Sequence, residues 1–273
     1  MTNKVFTQTL KNRSFICVSG EDRYEFLQGL ITNDIYKLKE QPLIYSWFLS
    51  PQGKYMHDFF IFEKDKQLFI DCQKSQQESL FKKLRLYKLR SKVTLSFFDD
   101  VITVLSLETK EQFIDESYIA LDPRHVDMGW RLYIFGNEIQ ENFDKLEVPY
   151  EAKRYHLGIA EGDNEIIMNK STLLEYRMDV FNAVDFDKGC YIGQELTARI
   201  HYRGLLKKEI VPFSITAKAV FEGKDIMLGD KNVGEVRGYD SSTGHGIALM
   251  KKEYITEAGH MLNDVPLVIL MTM

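Results

Sequence analysis

A single cysteine stands beside a lysine and between glycines in Lys188-Gly189-Cys190-Tyr191-Ile192-Gly193-Gln194-Glu195, and no other stretch of the chain is as well suited to chemistry. Two residues apart in an extended segment, Lys188 and Cys190 project to the same side, where an ammonium favours a thiolate. Gly189 lets the backbone turn sharply or approach a ligand closely. Leu196 and Ile200 lie one helical turn apart, so a helix is predicted over Gly193 to Arg203, and the free N–H groups at its start would add to the stabilisation of a negative sulfur. Two readings of Cys190 follow: an exposed, readily ionised thiol, or a buried cysteine that only packs. Gln194 and Glu195 fall where they could cap that helix. Glu195, Arg199 and Arg203 are four apart, which suits either a surface charge ladder or a cationic grip on an anionic ligand.

The chain that must position these residues has 273 of them, with 44% hydrophobic and 27% charged side chains, the balance of a globular protein of two or three domains. No apolar run approaches the roughly 18 residues a membrane span needs. Cys17, Cys72 and Cys190 are odd in number and far apart, which argues for a reducing compartment and against disulfides. Because the first residues lack signal or transit character, a cytoplasmic location is predicted. Scattered cysteines and histidines predict no intrinsic metal site. Phe15-Ile16-Cys17-Val18 and Leu68-Phe69-Ile70-Asp71-Cys72 read as apolar strands that bury their cysteines. A net charge of −5 disfavours direct binding of nucleic acid. Lys82 to Lys92 carries six cations among Leu80, Leu84 and Tyr87 at helical spacing, either a solvated helix face or a docking patch for an acidic partner.

Strands are expected at Ser14 to Val18, Leu43 to Leu49, Asp58 to Glu63, Leu68 to Cys72, Val93 to Phe97, Val101 to Leu107, Tyr118 to Leu121 and Trp130 to Phe135. Helices are expected after Ser19-Gly20-Glu21-Asp22, over Gln76 to Arg90, and from Pro149 through Ile159 with Gly162-Asp163 as its stop. Order without a regular βαβα alternation indicates α+β modules. Beyond Glu209, short apolar runs and glycine turns predict a small antiparallel barrel.

The octapeptide resembles, at every position, the signature K-G-C-Y/F-x-G-Q-E of the YgfZ-type proteins. These are folate-binding relatives of the glycine-cleavage T protein, and they include a mitochondrial iron–sulfur assembly factor. The likeness extends through Phe26-Leu27-Gln28-Gly29, Pro51-Gln52-Gly53-Lys54, Tyr87 to Val93, Asp122-Pro123-Arg124, Gly158 to Gly162 and Ala198 to Gly204. It implies an α+β, three-domain cloverleaf around a central cavity. Its parts would be a first, discontinuous and folate-binding ferredoxin-like module (1–45 with 140–207), a second such module (46–139) and a C-terminal antiparallel β-barrel (208–273). It also implies a tetrahydrofolate-binding accessory protein for assembly, insertion or repair of iron–sulfur clusters, particularly 4Fe–4S clusters, in recipient enzymes such as radical-SAM tRNA modifiers. Its partners would be those recipients or other assembly proteins, and its cofactor tetrahydrofolate or a one-carbon derivative.

Cys190 would be the working group, with Lys188, Gly189, Tyr191, Gly193, Gln194 and Glu195 around it. Glu161, Tyr191, Arg199, Arg203 and His57 have the residue types a pterin, an aminobenzoyl ring and a glutamate tail require. The resemblance is broken at His57-Asp58, where the T protein carries two aspartates, the first its catalytic acid. An imidazole there makes aminomethyl or methyl transfer the second reading. A docking scaffold without folate is the third.

Overall fold

The computed structural model describes residues 6–98, 102–108, 117–136, 144–162, 164–216 and 223–270. The chain forms two compact units, one of residues 1–50, 56–147 and 180–192, the other of 51–55, 148–179 and 193–273.

In the first unit the elements run β1 (Phe6–Thr9), β2 (Arg13–Ser19), α1 (Arg23–Gln28), β3 (Ile44–Leu49), β4 (Tyr55–Lys64, whose first residue falls in the second unit), β5 (Gln67–Gln73), α2 (Gln77–Lys88), β6 (Thr94–Phe97), β7 (Ile102–Leu107), β8 (Ser117–Leu121), β9 (Trp130–Phe135) and β10 (Asp144–Lys145). They make two five-stranded sheets, ordered β3-β4-β5-β2-β6 and β10-β1-β7-β9-β8. β2 lies before residue 45 yet pairs antiparallel with β5 and β6, which follow it. Such long-range pairing leaves no trace in local periodicity.

The sheets meet through aromatic rings, Phe62 lying 4.6 Å from Tyr133 and 4.8 Å from Tyr118. Between them lies a sealed layer of charge. Asp71 accepts from Arg13 at 2.6 Å, Arg131 at 2.8 Å and Tyr133 at 3.0 Å, while Arg124 pairs with Asp122 at 2.7 Å. Arg131 and Arg124 also stand 3.9 and 4.7 Å from the centre of the Phe60 ring. Burial of so many charges is tolerated because each carboxylate finds an arginine and each guanidinium also a ring face. Cys17 and Cys72 are buried, as their apolar strands predict.

In the second unit, α3 (Tyr150–Leu157) and α4 (Gln194–Arg203) precede β11 (Lys208–Ile215), β12 (Asp225–Leu228), β13 (Lys231–Asp240), β14 (His245–Lys251), β15 (Met261–Leu262) and β16 (Val265–Ile269). These six strands close into a barrel, β11-β14-β13-β12-β15-β16, filled by Val211, Phe213, Ile226, Val233, Met250 and Leu262. The predicted α+β class and C-terminal barrel are therefore both present. α3 stops at Gly158, in the left-handed region at φ 76°, rather than at Gly162. The Tyr155 ring of this helix packs onto Gly238, where a Cβ would sit 2.7 Å from it.

Candidate functional site

The signature loop is fastened to the segment that follows α1. Asn33 donates to the carbonyls of Tyr45 at 2.9 Å and Asn182 at 2.7 Å, Thr32 Oγ1 donates to Ala183 O at 2.6 Å, and the Asp185 amide donates to Thr32 O at 3.1 Å. Asp185 then folds the loop back by accepting the amides of Asp187 (2.8 Å) and Lys188 (3.1 Å) and pairing with Lys37 at 2.7 Å. Partial burial works against its ionisation, but Lys37 and the two amides outweigh it and hold the carboxyl below the usual range.

Lys188 is the post of the assembly. Its Nζ donates to Gln28 O at 2.8 Å, Ile31 O at 2.8 Å and Asn33 O at 2.7 Å, using all three ammonium donors, and it lies 5.2 Å from the centre of the Tyr191 ring. Burial pushes its pKa down to about 8, against the pull of Asp34 and Asp185 and with a contribution from Lys37. Two residues beyond Cys190, the Ile192 amide donates to Gly29 O at 3.2 Å. Cys190 is thus exposed between two pinned positions, 188 and 192.

This geometry exposes the thiol, against the packed reading, and corrects the role expected of Lys188. Its ammonium is enclosed by carbonyls of residues 28–33 rather than displayed with the sulfur, because a buried cation must satisfy its donors wherever acceptors converge. Gly189 is exposed, and a Cβ there would meet nothing within 4 Å, so packing within the chain does not require glycine at this position.

Gly193, at φ 81°, is the N-cap of α4 and has no side chain to cap with; Gln194 and Glu195 are the first two helical residues, where a carboxylate suits the positive helix end. Gly53 packs so tightly against this start that a Cβ would come within 2.7 Å of Leu196 Cβ and 2.8 Å of Gly193 O. Arg199 and Arg203 are exposed on α4.

Glu161 is buried in the second unit and accepts the Tyr150 hydroxyl at 2.8 Å. Its amide donates to Glu165 at 2.7 Å, and Glu165 also takes a two-pronged contact from Arg154 (2.8 Å twice) and the Tyr155 hydroxyl at 2.9 Å. Arg154 and Glu165 escaped the sequence reading, since eleven residues of separation across a helix end has no periodicity. The second unit thus holds a tyrosine-anchored buried carboxylate at Glu161 and exposed cations at Arg199 and Arg203.

His57 has a different setting. It is fully buried on β4, 6.3 Å from the Phe48 ring, and neither ring nitrogen has a hydrogen-bond partner of ordinary geometry among the described residues. Burial lowers its pKa to about 4; neighbouring Gln76 favours the charged ring and Lys83 disfavours it. Its neighbour Asp58, on the opposite face of the strand, is equally enclosed and accepts the Tyr45 hydroxyl at 2.8 Å. Among the described residues no group of three or more His, Cys, Asp or Glu side chains is arranged to hold a metal ion.

Two α+β sheets with a closed barrel make the fold of the aminomethyltransferases. The crystal structure of glycine cleavage system aminomethyltransferase T from Bartonella henselae superposes with a TM-score of 0.74 at 13% identity, covering 97% of this chain and 85% of that one, a likeness of fold alone. Residues 207–270 match the model of the CAF17 C-terminal beta-barrel domain. The mitochondrial iron–sulfur cluster assembly factor IBA57 homolog of Pyricularia oryzae is 37% identical over 217 residues, 74% of this chain and 56% of that protein. The one from Dictyostelium discoideum is 32% identical over 257 residues, 77% of this chain and 63% of that protein. The chain belongs to this IBA57/CAF17 family of iron–sulfur assembly factors, to which the bacterial YgfZ-type proteins are related. It spans 52% to 63% of the length of the curated relatives it matches. Their names also overturn the cytoplasmic prediction in favour of mitochondria. Free thiols report a reducing environment and do not say which membrane encloses it.

Proposed function

We propose that the chain assists the assembly or repair of iron–sulfur clusters, particularly 4Fe–4S clusters, in recipient enzymes, with Cys190 as its working group. The observation that carries this reading is one exposed thiol held on a loop pinned at Lys188 and Ile192, in a family of iron–sulfur assembly factors. A soft, solvent-reachable sulfur can ligate iron transiently or exchange with another thiol. Cys17 and Cys72 are ruled out for that work by burial, which raises the pKa of both. The partners are recipient enzymes or other assembly proteins.

Tetrahydrofolate or a one-carbon derivative is the proposed cofactor, for which Glu161, Arg199 and Arg203 of the second unit supply a carboxylate and two cations; bound, it would supply one-carbon or reducing chemistry. His57 leaves this set, because an enclosed neutral ring offers a ligand no contact. Aminomethyl transfer draws no support from Asp58, whose carboxylate is buried against Tyr45. The test is recovery of a 4Fe–4S enzyme's activity in cells lacking their own family member. Expression of the chain should restore it, and absence of any recovery would remove the assembly reading. Calorimetry with tetrahydrofolate tests the cofactor separately: binding is expected at micromolar ligand, and silence there would leave a folate-independent scaffold.

A further inference from the structure

A groove of about 710 Å3 lies on the first unit between α1 and the end of α2. Buried Phe26 and Leu30 and half-buried Tyr87 form its floor, and Glu25, Leu89 and Arg90 stand exposed at its rim. Three observations set it apart. Leu89 is 86% exposed at φ 44°, ψ −111°, a backbone conformation leucine avoids. Such an outlier is kept where the surroundings or a function impose it. Leu86, one turn back, is also 65% exposed, so the end of α2 offers leucines to solvent.

Around them are cations in excess. Of Lys82, Arg85, Arg90 and Lys92, all exposed, only Lys82 and Lys92 have carboxylate partners among the described residues, Glu78 at 2.7 Å and Glu21 at 3.0 Å. Finally, Leu30 of the floor belongs to the same segment, 28–33, whose carbonyls hold Lys188 and the Cys190 loop.

We propose that this groove docks a segment of a partner protein that inserts an apolar side chain over Phe26, Leu30 and Tyr87 and sets a flanking carboxylate against Arg90. The apolar floor and the Arg90 guanidinium at its rim define that occupant by complementarity. An anionic membrane fits less well, because a concave floor with Glu25 on its rim opposes a flat negative surface. The inference holds whether or not the chain serves cluster assembly.

The experiment is a selection of displayed random peptides against the intact chain, followed by anisotropy titration of the enriched peptides. Enriched sequences should share an apolar residue flanked by Asp or Glu, and Arg90→Glu should weaken them about tenfold. Leu89→Gly provides the control for fold: glycine relieves the positive φ, so melting temperature should rise while peptide affinity falls about tenfold. No enrichment, or peptides that bind both variants as well as the parent chain, would overturn the proposal. So would an absence of enrichment accompanied by sedimentation with phosphatidylglycerol vesicles that Arg90→Glu abolishes, since the surface would then serve a membrane.

Discussion

Lys188, half-buried in the first unit, and Arg154, buried in the second, are cations whose charges are satisfied in opposite ways. Arg154 meets Glu165 through two parallel contacts of 2.8 Å, with Ile159 O at 2.9 Å as a third acceptor. Burial there opposes the charge, but Glu165 and then Glu161 outweigh it, so the guanidinium stays ionised at any pH the fold survives. Lys188 hydrogen-bonds to three neutral carbonyls, with Asp34 and Asp185 acting only at longer range, and burial lowers its pKa to about 8. A full ion pair makes a permanent brace. A carbonyl cage makes an anchor whose charge can be lost, and the cage is the one that holds the exposed thiol.

The contrast breaks most visibly at Arg154. Arg154→Ala would leave the Glu165 carboxylate buried without its counter-ion and should cost about 3–5 kcal/mol in urea unfolding. His57 sharpens the comparison as a buried base with no carboxylate partner among the described residues. The unfolded chain takes up this proton below about pH 6.5 and the folded chain only near pH 4, so stability falls as pH drops through that window and is level above it. The loss should approach about 3 kcal/mol, and His57→Gln should flatten that part of the pH profile.

Lys188→Met keeps the stem and removes the donors, stranding three carbonyls at an expected cost of about 1–3 kcal/mol. Amide exchange should quicken at Ile192 and Asp185 while the barrel strands stay protected. Between pH 8 and 10.5 the folded chain has shed the Lys188 proton and the unfolded chain has not, so stability rises with pH there; the variant should lose that rise. The smallest effect belongs to Cys190→Ser, an exposed substitution expected to move stability by less than about 0.5 kcal/mol.

Strand positions, the barrel and the burial of Cys17 and Cys72 were legible because each rests on local periodicity. The Lys188 cage was not, since its acceptors are backbone carbonyls up to 160 residues away, and a carbonyl has no sequence signature. The burial of His57 was not legible for another reason: β4 is buried along its first eight residues, so alternation there chooses between two interiors rather than between core and solvent. Asp71 sat unnoticed in an apolar strand, its arginine partners lying 58 and 60 residues away.

The most direct test of the account is the activity of a 4Fe–4S enzyme in cells whose only family member is this chain with Cys190→Ser. The variant should fold and bind tetrahydrofolate as the parent does, yet leave the enzyme largely without its cluster. Full activity with the serine in place would contradict the assignment of Cys190 as the working group.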